Sequence, residues 1–157
     1  MTARLTYEAV QSLYQKHGSA LLVFGISILG EKSAAEDVLH QVFVKLLGRS
    51  ELPADPRPYL FKAVRNAALN RIRSSARLTS LDGQEWLVRP AGNVNAVLEI
   101  EKAMAQLPLE QREVVAMRIW AEMTSAEVAA VLEIPENTAA SRYRYALAKL
   151  RDLLRNI

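Results

Sequence analysis

The sequence has no cysteine, which excludes disulfides, thiolate zinc sites and thiol catalysis together. It has only two histidines and no glycine-rich phosphate loop, so metal clusters and nucleotide cradles have little to build on. Glycine and proline number six each, too few for a fibrous or low-complexity chain. The longest apolar run, Ala20 to Leu29, is broken by Gly25 and Ser27 and falls well short of the ~20 residues of a spanning helix. Met1 to Val10 has no basic start followed by an apolar stretch, so it does not read as a secretion signal. A cytoplasmic protein with no membrane span is the expectation. What is present is 157 residues, half of them apolar, enough for one ordinary domain or two small ones with thin cores.

The net charge of +3 conceals a strong asymmetry. Residues 56–80 hold six basic and no acidic groups, and residues 142–157 hold five basic and one acidic. The three other segments, 1–55, 81–110 and 111–141, are each net acidic. Two basic blocks inside an acidic chain fit a polyanion-binding protein, and they equally fit two solvated helix faces.

Apolar spacing is helical nearly throughout, and no stretch alternates with the period of two that a strand requires, so the fold class is all-α. Thr6 is a candidate N-cap for a helix to His17; a second helix covers Ser19 to Leu29 and stops at Gly30. Ser33-x-x-Glu36 has the form of a capping box opening a helix whose apolar stripe is Val38, Leu39, Val42, Phe43, Leu46 and Leu47. Three prolines make Gly48 to Pro58 a loop. A helix from Arg57 to Ala76 then carries Leu60, Ala63, Val64 and Ala67 on one side and Lys62, Arg65, Asn66, Asn70, Arg73 and Arg77 on the other; Arg71 falls on the apolar side. The pattern dissolves over residues 78–95, too long for a connection inside one compact domain, so the chain divides into a module of residues 1–77 and another of residues 96–157. Trp86 in this linker is either a packing anchor or a partner contact.

In the second module, helices are expected over 97–106 and 108–121. Thr124-x-x-Glu127 is another capping box, opening a short helix; Glu133-Ile134-Pro135 forms a turn, and a long helix follows from Glu136 to Leu154. The buried side of that helix is expected to hold Tyr143, Ala146, Leu147, Leu150, Leu153 and Leu154, which leaves Asn137, Ser141 and Tyr145 opposite, flanked by Thr138, Arg142 and Arg144. Short capped helix, tight turn and basic helix make a helix-turn-helix, in which amides, hydroxyls and guanidinium groups suit base edges and phosphates. A helical hairpin with a polar outer face is the bland alternative.

These residues carry a resemblance. Ala35-Glu36-Asp37-Val38-Leu39-His40-Gln41-Val42-Phe43 resembles the AED-x-x-Q-x-x-F helix of extracytoplasmic-function (ECF) sigma factors, and Tyr59 to Arg73 resembles their W-L-x-x-x-x-R-N-x-x-x-D-x-x-R helix. Leu107 to Val114 resembles LPxxxRxV, and Thr124 to Arg142 resembles the family's helix-turn-helix signature. The resemblance implies that Asp37, His40 and Gln41 dock on the β′ subunit of core RNA polymerase. It implies that Arg57, Lys62, Arg65, Asn66, Asn70, Arg73 and Arg77 bind and help open the −10 element of promoter DNA. It implies further that Asn137, Thr138, Ser141, Arg142 and Arg144 contact the −35 element while the apolar surface of that module holds the flap of the β subunit. An anti-sigma factor is a further partner that the resemblance allows. The chain departs from the family pattern at His40 (usually Gln), Asn70 (usually acidic), Asn137 (usually Gly), Ala139 (usually Val) and Ala140 (usually basic).

Enzyme signals are lacking. Glu36 and Asp37 lie in the expected first turn of a helix, where capping and the helix dipole account for them; His17 and His40 sit on separate helices without companions at ligand spacing. No cofactor and no catalysis are expected. Besides a sigma factor, three readings stay open: a sigma-like adaptor that binds a regulatory protein and not DNA, a helix-turn-helix regulator using only its C-terminal half, and a nucleic-acid-processing enzyme.

Overall fold

A computed structural model of the chain describes residues 5–49, 51–78 and 95–155, with the side chains of 76–78 and 95–99 outside that description. Most of the expected linker, with Trp86, and the side chain of Arg77 thus lie outside the described residues. Regular structure among the described residues is helical: α1 (Tyr7–Leu29), α2 (Lys32–Leu47), α3 (Pro56–Leu78), α4 (Asn95–Ala105), α5 (Leu109–Val115), α6 (Ser125–Leu132) and α7 (Glu136–Arg155). A π-helical turn, Ala116–Trp120, joins α5 towards α6 in place of the single helix expected over 108–121.

The first three helices pack around Leu21, Phe24, Ile28, Val38, Leu46, Leu60, Phe61 and Val64, all essentially removed from water. Phe24 and Phe61 meet at a centroid distance of 5.2 Å, and burial of each ring contributes about 2–3 kcal/mol. α1 is capped at its start by the Thr6 side chain, which accepts from the Ala9 amide, and at its end by Gly30 in the left-handed region at φ 75°. It runs unbroken through Gly18, where two helices were expected. A mid-helix glycine costs only about 1 kcal/mol, and the buried face on either side of it outweighs that. Gly25 has a sharper role: a Cβ there would lie 3.2 Å from that of Ala35, so its lack of a side chain sets how closely α1 and α2 approach.

The Ser33 capping box does not form. α2 begins earlier, with Glu31 as its extended N-cap, and the Ser33 hydroxyl, already inside the first turn, donates to the Glu31 carboxylate at 2.5 Å. Leu47, expected in the apolar stripe, is exposed at the last turn of α2. Pro56 and Pro58 fall in the first turn of α3, where their missing amides cost nothing.

The Thr124–Glu127 capping box forms in full, and Glu133 ends α6 in the left-handed region at φ 57°. α7 buries Ala139 and Ala146, with Tyr143 and Leu150 packed at the margin; Leu147, expected inside, is exposed. The α7 interface is therefore narrower than its apolar periodicity, because small residues let α5 and α6 approach its early turns closely.

The two modules touch. Val114, Ala116, Met117 and Met123 of the second join the same core cluster as Phe24, Ile28 and Val64 of the first. Arg112, buried in α5, donates through Nε to the Ser27 carbonyl at 2.7 Å and through Nη1 to the Leu107 carbonyl at 3.2 Å. Ser27 lies in the last turn of α1, whose carbonyls have no partners within the helix, so a cation there satisfies both the hydrogen bond and the helix dipole.

Candidate nucleic-acid interface

α3 presents the basic edge that the charge pattern anticipated, and its residues fall into two groups. Asn66, Asn70 and Arg73 are exposed, with Arg73 donating to the Asn70 side-chain oxygen. Arg57, Lys62 and Arg65 are turned towards the second module, where each meets a carboxylate. Arg57 pairs with Glu127 and also donates to the Ala121 carbonyl at 3.2 Å. Lys62 lies 2.6 Å from Glu133, and Arg65 pairs with Glu113. These three are engaged ion pairs in this arrangement, not the solvent-facing cations of the sequence expectation.

Electrostatics support the pairing. The backbone amide of Thr124 and then the Arg57 guanidinium hold the Glu127 carboxyl below its ordinary range, and Lys62 does the same for the exposed Glu133. His17 is pushed down, first by burial and then by the cations Lys16 and Arg57. Burial also lowers Arg112, against the raising effect of Glu113.

The loop before α3 is ordered by Arg49, which donates to the Tyr59 hydroxyl at 2.5 Å and lies 4.9 Å from the centre of its ring. Tyr59 is half-buried against the core in the first turns of α3. Asp55 accepts from the Arg57 amide at 3.3 Å, shaping entry into α3.

On α7, Asn137 and Arg144 are exposed, whereas Thr138, Ser141 and Arg142 are half-buried. Arg144 donates to the Ser141 hydroxyl at 3.1 Å, and the five residues lie along the N-terminal half of the helix. Arg118 stacks 4.6 Å from the centre of the Tyr143 ring and donates to the Met123 carbonyl, which fixes the turn leading into α6 beneath α7. Tyr145 projects outward.

Asp37, His40 and Gln41 are exposed on α2. Asp37 and His40 border a groove between α1 and α2 whose floor includes Gly18, Leu22 and Leu39. Asp37 is 3.4 Å from Arg71, which accounts for Arg71 lying off the polar side of α3: it reaches across to α2. Sequence reasoning assigned no role to Arg112, Glu113, Glu127 as an ion-pair partner, or Glu133. The only available signal was the acidic balance of 111–141, which gave no hint of what those carboxylates face.

A helix-turn-helix with a polar outer edge, attached to a three-helix module with a basic edge, defines a DNA-facing protein of two helical modules. The Sigma-70 region 2 family matches residues 13–78, and the Sigma-70, region 4 family matches residues 98–150. The chain belongs to the sigma-70 family of RNA polymerase sigma factors, as a two-module member of the ECF type. It is 28% identical to the ECF RNA polymerase sigma factor SigL of Mycobacterium tuberculosis, over 94% of this chain and 90% of that one. It is 23% identical to the ECF RNA polymerase sigma factor SigM of Bacillus subtilis, over 92% and 94% of the two chains. Its fold resembles the sigma factor RpoE in complex with the anti-sigma factor NepR from Bartonella quintana, with a TM-score of 0.78, 22% identity, and 96% and 98% of the chains covered. CnrH in complex with the cytosolic domain of CnrY is similar at a TM-score of 0.68 and 25% identity, covering 96% and 90%.

Proposed function

We propose that this chain binds core RNA polymerase through its first module and directs it to promoters whose two elements are read by α3 and α7. Residues 1–77 serve polymerase docking and the −10 element, residues 78–95 connect, and residues 96–157 serve the −35 element. Asp37, His40 and Gln41 are the docking residues, beside a groove able to take an apolar side chain. Asn66, Asn70 and Arg73 offer amides and a cation to extruded bases and single-stranded backbone; Arg57, Lys62, Arg65 and Arg77 add charge when available. Asn137, Thr138, Ser141, Arg142 and Arg144 face the upstream element, where Ala140 removes one cation and leaves readout to amide and hydroxyl groups.

The chain acts as an initiation factor and lends no catalytic group of its own. Its place of work is the cytoplasm, where polymerase and DNA are, and no helix among the described residues is long and apolar enough to cross a membrane. An anti-sigma factor is a further partner in this reading, since one solved structure named above is a complex with the anti-sigma factor NepR and the other a complex with the cytosolic domain of CnrY.

The observation that carries the reading is the order of the two sigma-70 regions on one chain. Holoenzyme assembly tests it. Purified chain should bind core polymerase and confer promoter-dependent initiation, and alanine at Asn137, Ser141 or Arg142 should change sequence preference at the upstream element. A uniform loss across sequences would reassign those three to phosphate contacts.

A further inference from the structure

Two glycines sit inside α1, and they do different work. A Cβ at Gly25 would crowd that of Ala35 at 3.2 Å, so the packing of α1 on α2 demands glycine there. Gly18 is under no such constraint. Its backbone is helical, and the nearest atoms to an added Cβ would be those of the Tyr14 ring at 3.6–3.8 Å, an ordinary van der Waals contact. Alanine would fit and would favour the helix, because glycine is the weakest helix former after proline. A helix-weakening residue that the fold does not need points to a use outside the fold.

That use is visible in what Gly18 lines. With Leu22 and Leu39 it forms the floor of the groove between α1 and α2, whose volume is about 570 Å³. The Tyr14 ring, set edge-on to Phe43 at a centroid distance of 5.1 Å, makes a wall on the α1 side. Glu36 and Asp37 stand on the α2 side, and both are exposed. Asp37 is shared with Arg71, whereas Glu36 has no ion-pair partner among the described residues. An apolar floor beside an acidic rim fits a partner helix that lays an apolar side chain over Gly18 and a cation beside Glu36.

We propose that Gly18 is a specificity-determining residue for polymerase docking: its missing side chain leaves the floor of the groove open to an apolar side chain carried on a helix of core polymerase, next to a basic residue that faces Glu36. This rests on the proposed function, since it names the chemistry of the partner at the same edge of α2, and the groove is continuous with Asp37 and His40. A side chain at position 18 would project between the two partners, where a close-packed interface, like a core, tolerates little added volume. The free chain gives up some helix stability at Gly18 and gains depth in the groove.

Stability and docking should therefore move in opposite directions, which no purely structural role of Gly18 would produce. In the whole chain, Gly18→Ala should raise the urea midpoint and weaken binding to core polymerase about tenfold in a fluorescence titration. Gly18→Met, also a good helix former but filling more of the groove, should weaken it further. Ser19→Leu, at an exposed position on the same groove, obstructs the floor without altering Gly18 and should act likewise. Glu36→Gln should lessen the salt dependence of core binding. Core affinity unchanged in all three groove-filling variants overturns the proposal, as does a loss of affinity that tracks a lowered urea midpoint in each. A salt dependence unchanged by Glu36→Gln overturns the basic residue of the partner. Core binding and initiation by the wild-type chain are measured alongside. Their absence would sink the proposed function, whereas their presence with full affinity of the Gly18 variants would sink only the role of Gly18.

Discussion

Glu113 on α5, with 1% of its surface exposed, is paired with Arg65 on α3, whose side chain keeps 29% of its own. A carboxylate that deep is tolerated because a guanidinium reaches it across the module boundary. The helix-turn-helix module and the basic helix are therefore coupled in stability as well as in charge.

Arg65→Ala should destabilise the free chain by about 2 kcal/mol, below the range for a fully buried pair because Arg65 is partly solvated. Urea unfolding checks it. Replacing both partners, as Arg65→Met with Glu113→Leu, should recover much of the loss, since no charge is then stranded. Equal destabilisation by the single and double variants would show that the pair is not what holds Glu113 in place.

Loss of DNA binding in an Arg65 variant would thus mix folding with contact, and Asn70 and Arg73 give a cleaner reading because both are exposed and their side chains bond each other. Asn70→Ala with Arg73→Ala should leave the melting temperature nearly unchanged and reduce promoter opening. It should also lower the log-log salt slope of DNA binding by about one unit for the lost phosphate contact. Unaltered opening and slope would remove these two from the interface.

Asp37→Arg should weaken binding to core polymerase at least tenfold in a pull-down or fluorescence titration. Stability should change by less than about 1 kcal/mol, because the Asp37–Arg71 contact is exposed. Full affinity would take docking away from this edge of α2.

His17 sets a pH dependence. Burial and the neighbouring cations Lys16 and Arg57 favour its neutral form in the folded chain, so its folded pKa lies below the unfolded one. Stability is then complete above the unfolded value of about 6.5 and is lost as pH falls through that value towards the folded one. The urea midpoint should be lower at pH 5.5 than at pH 7.5, and His17→Gln should flatten the difference. Glu127 and Glu133, also held below their ordinary range, contribute in the same direction but only where carboxylates begin to protonate.

Local signals in the sequence were read well where the physics is local. The Thr124–Glu127 box and the Thr6 and Gly30 caps depend on residues a few positions apart, whereas the proline loop, expected to reach Pro58, gives way to α3 at Pro56. Ser33–Glu36 has the same spelling as Thr124–Glu127 yet does not cap, because Glu31 offers Ser33 a nearer acceptor and the helix starts earlier. Gly18 was legible as a weak point but not as one that packing overrides. The exposure of Asp37, His40, Gln41, Asn66, Asn70, Arg73, Asn137 and Arg144 was legible because polar side chains at helical spacing fall outside the buried stripe. The partners of Arg57 and Arg65 were not, since they lie 70 and 48 residues away and nothing in either segment specifies the other. Leu47 and Leu147 continue apolar stripes beyond the point where a neighbouring helix covers them, and periodicity does not say where the neighbour ends.

Initiation in vitro from a promoter library randomised at both upstream elements, with core polymerase and the purified chain, tests the central claim most directly. The account expects transcripts to select two conserved elements separated by a fixed spacer, with upstream preference shifted by Ser141→Ala and opening reduced by Asn70→Ala with Arg73→Ala. No initiation above core polymerase alone, or selection that ignores both helices, would contradict it.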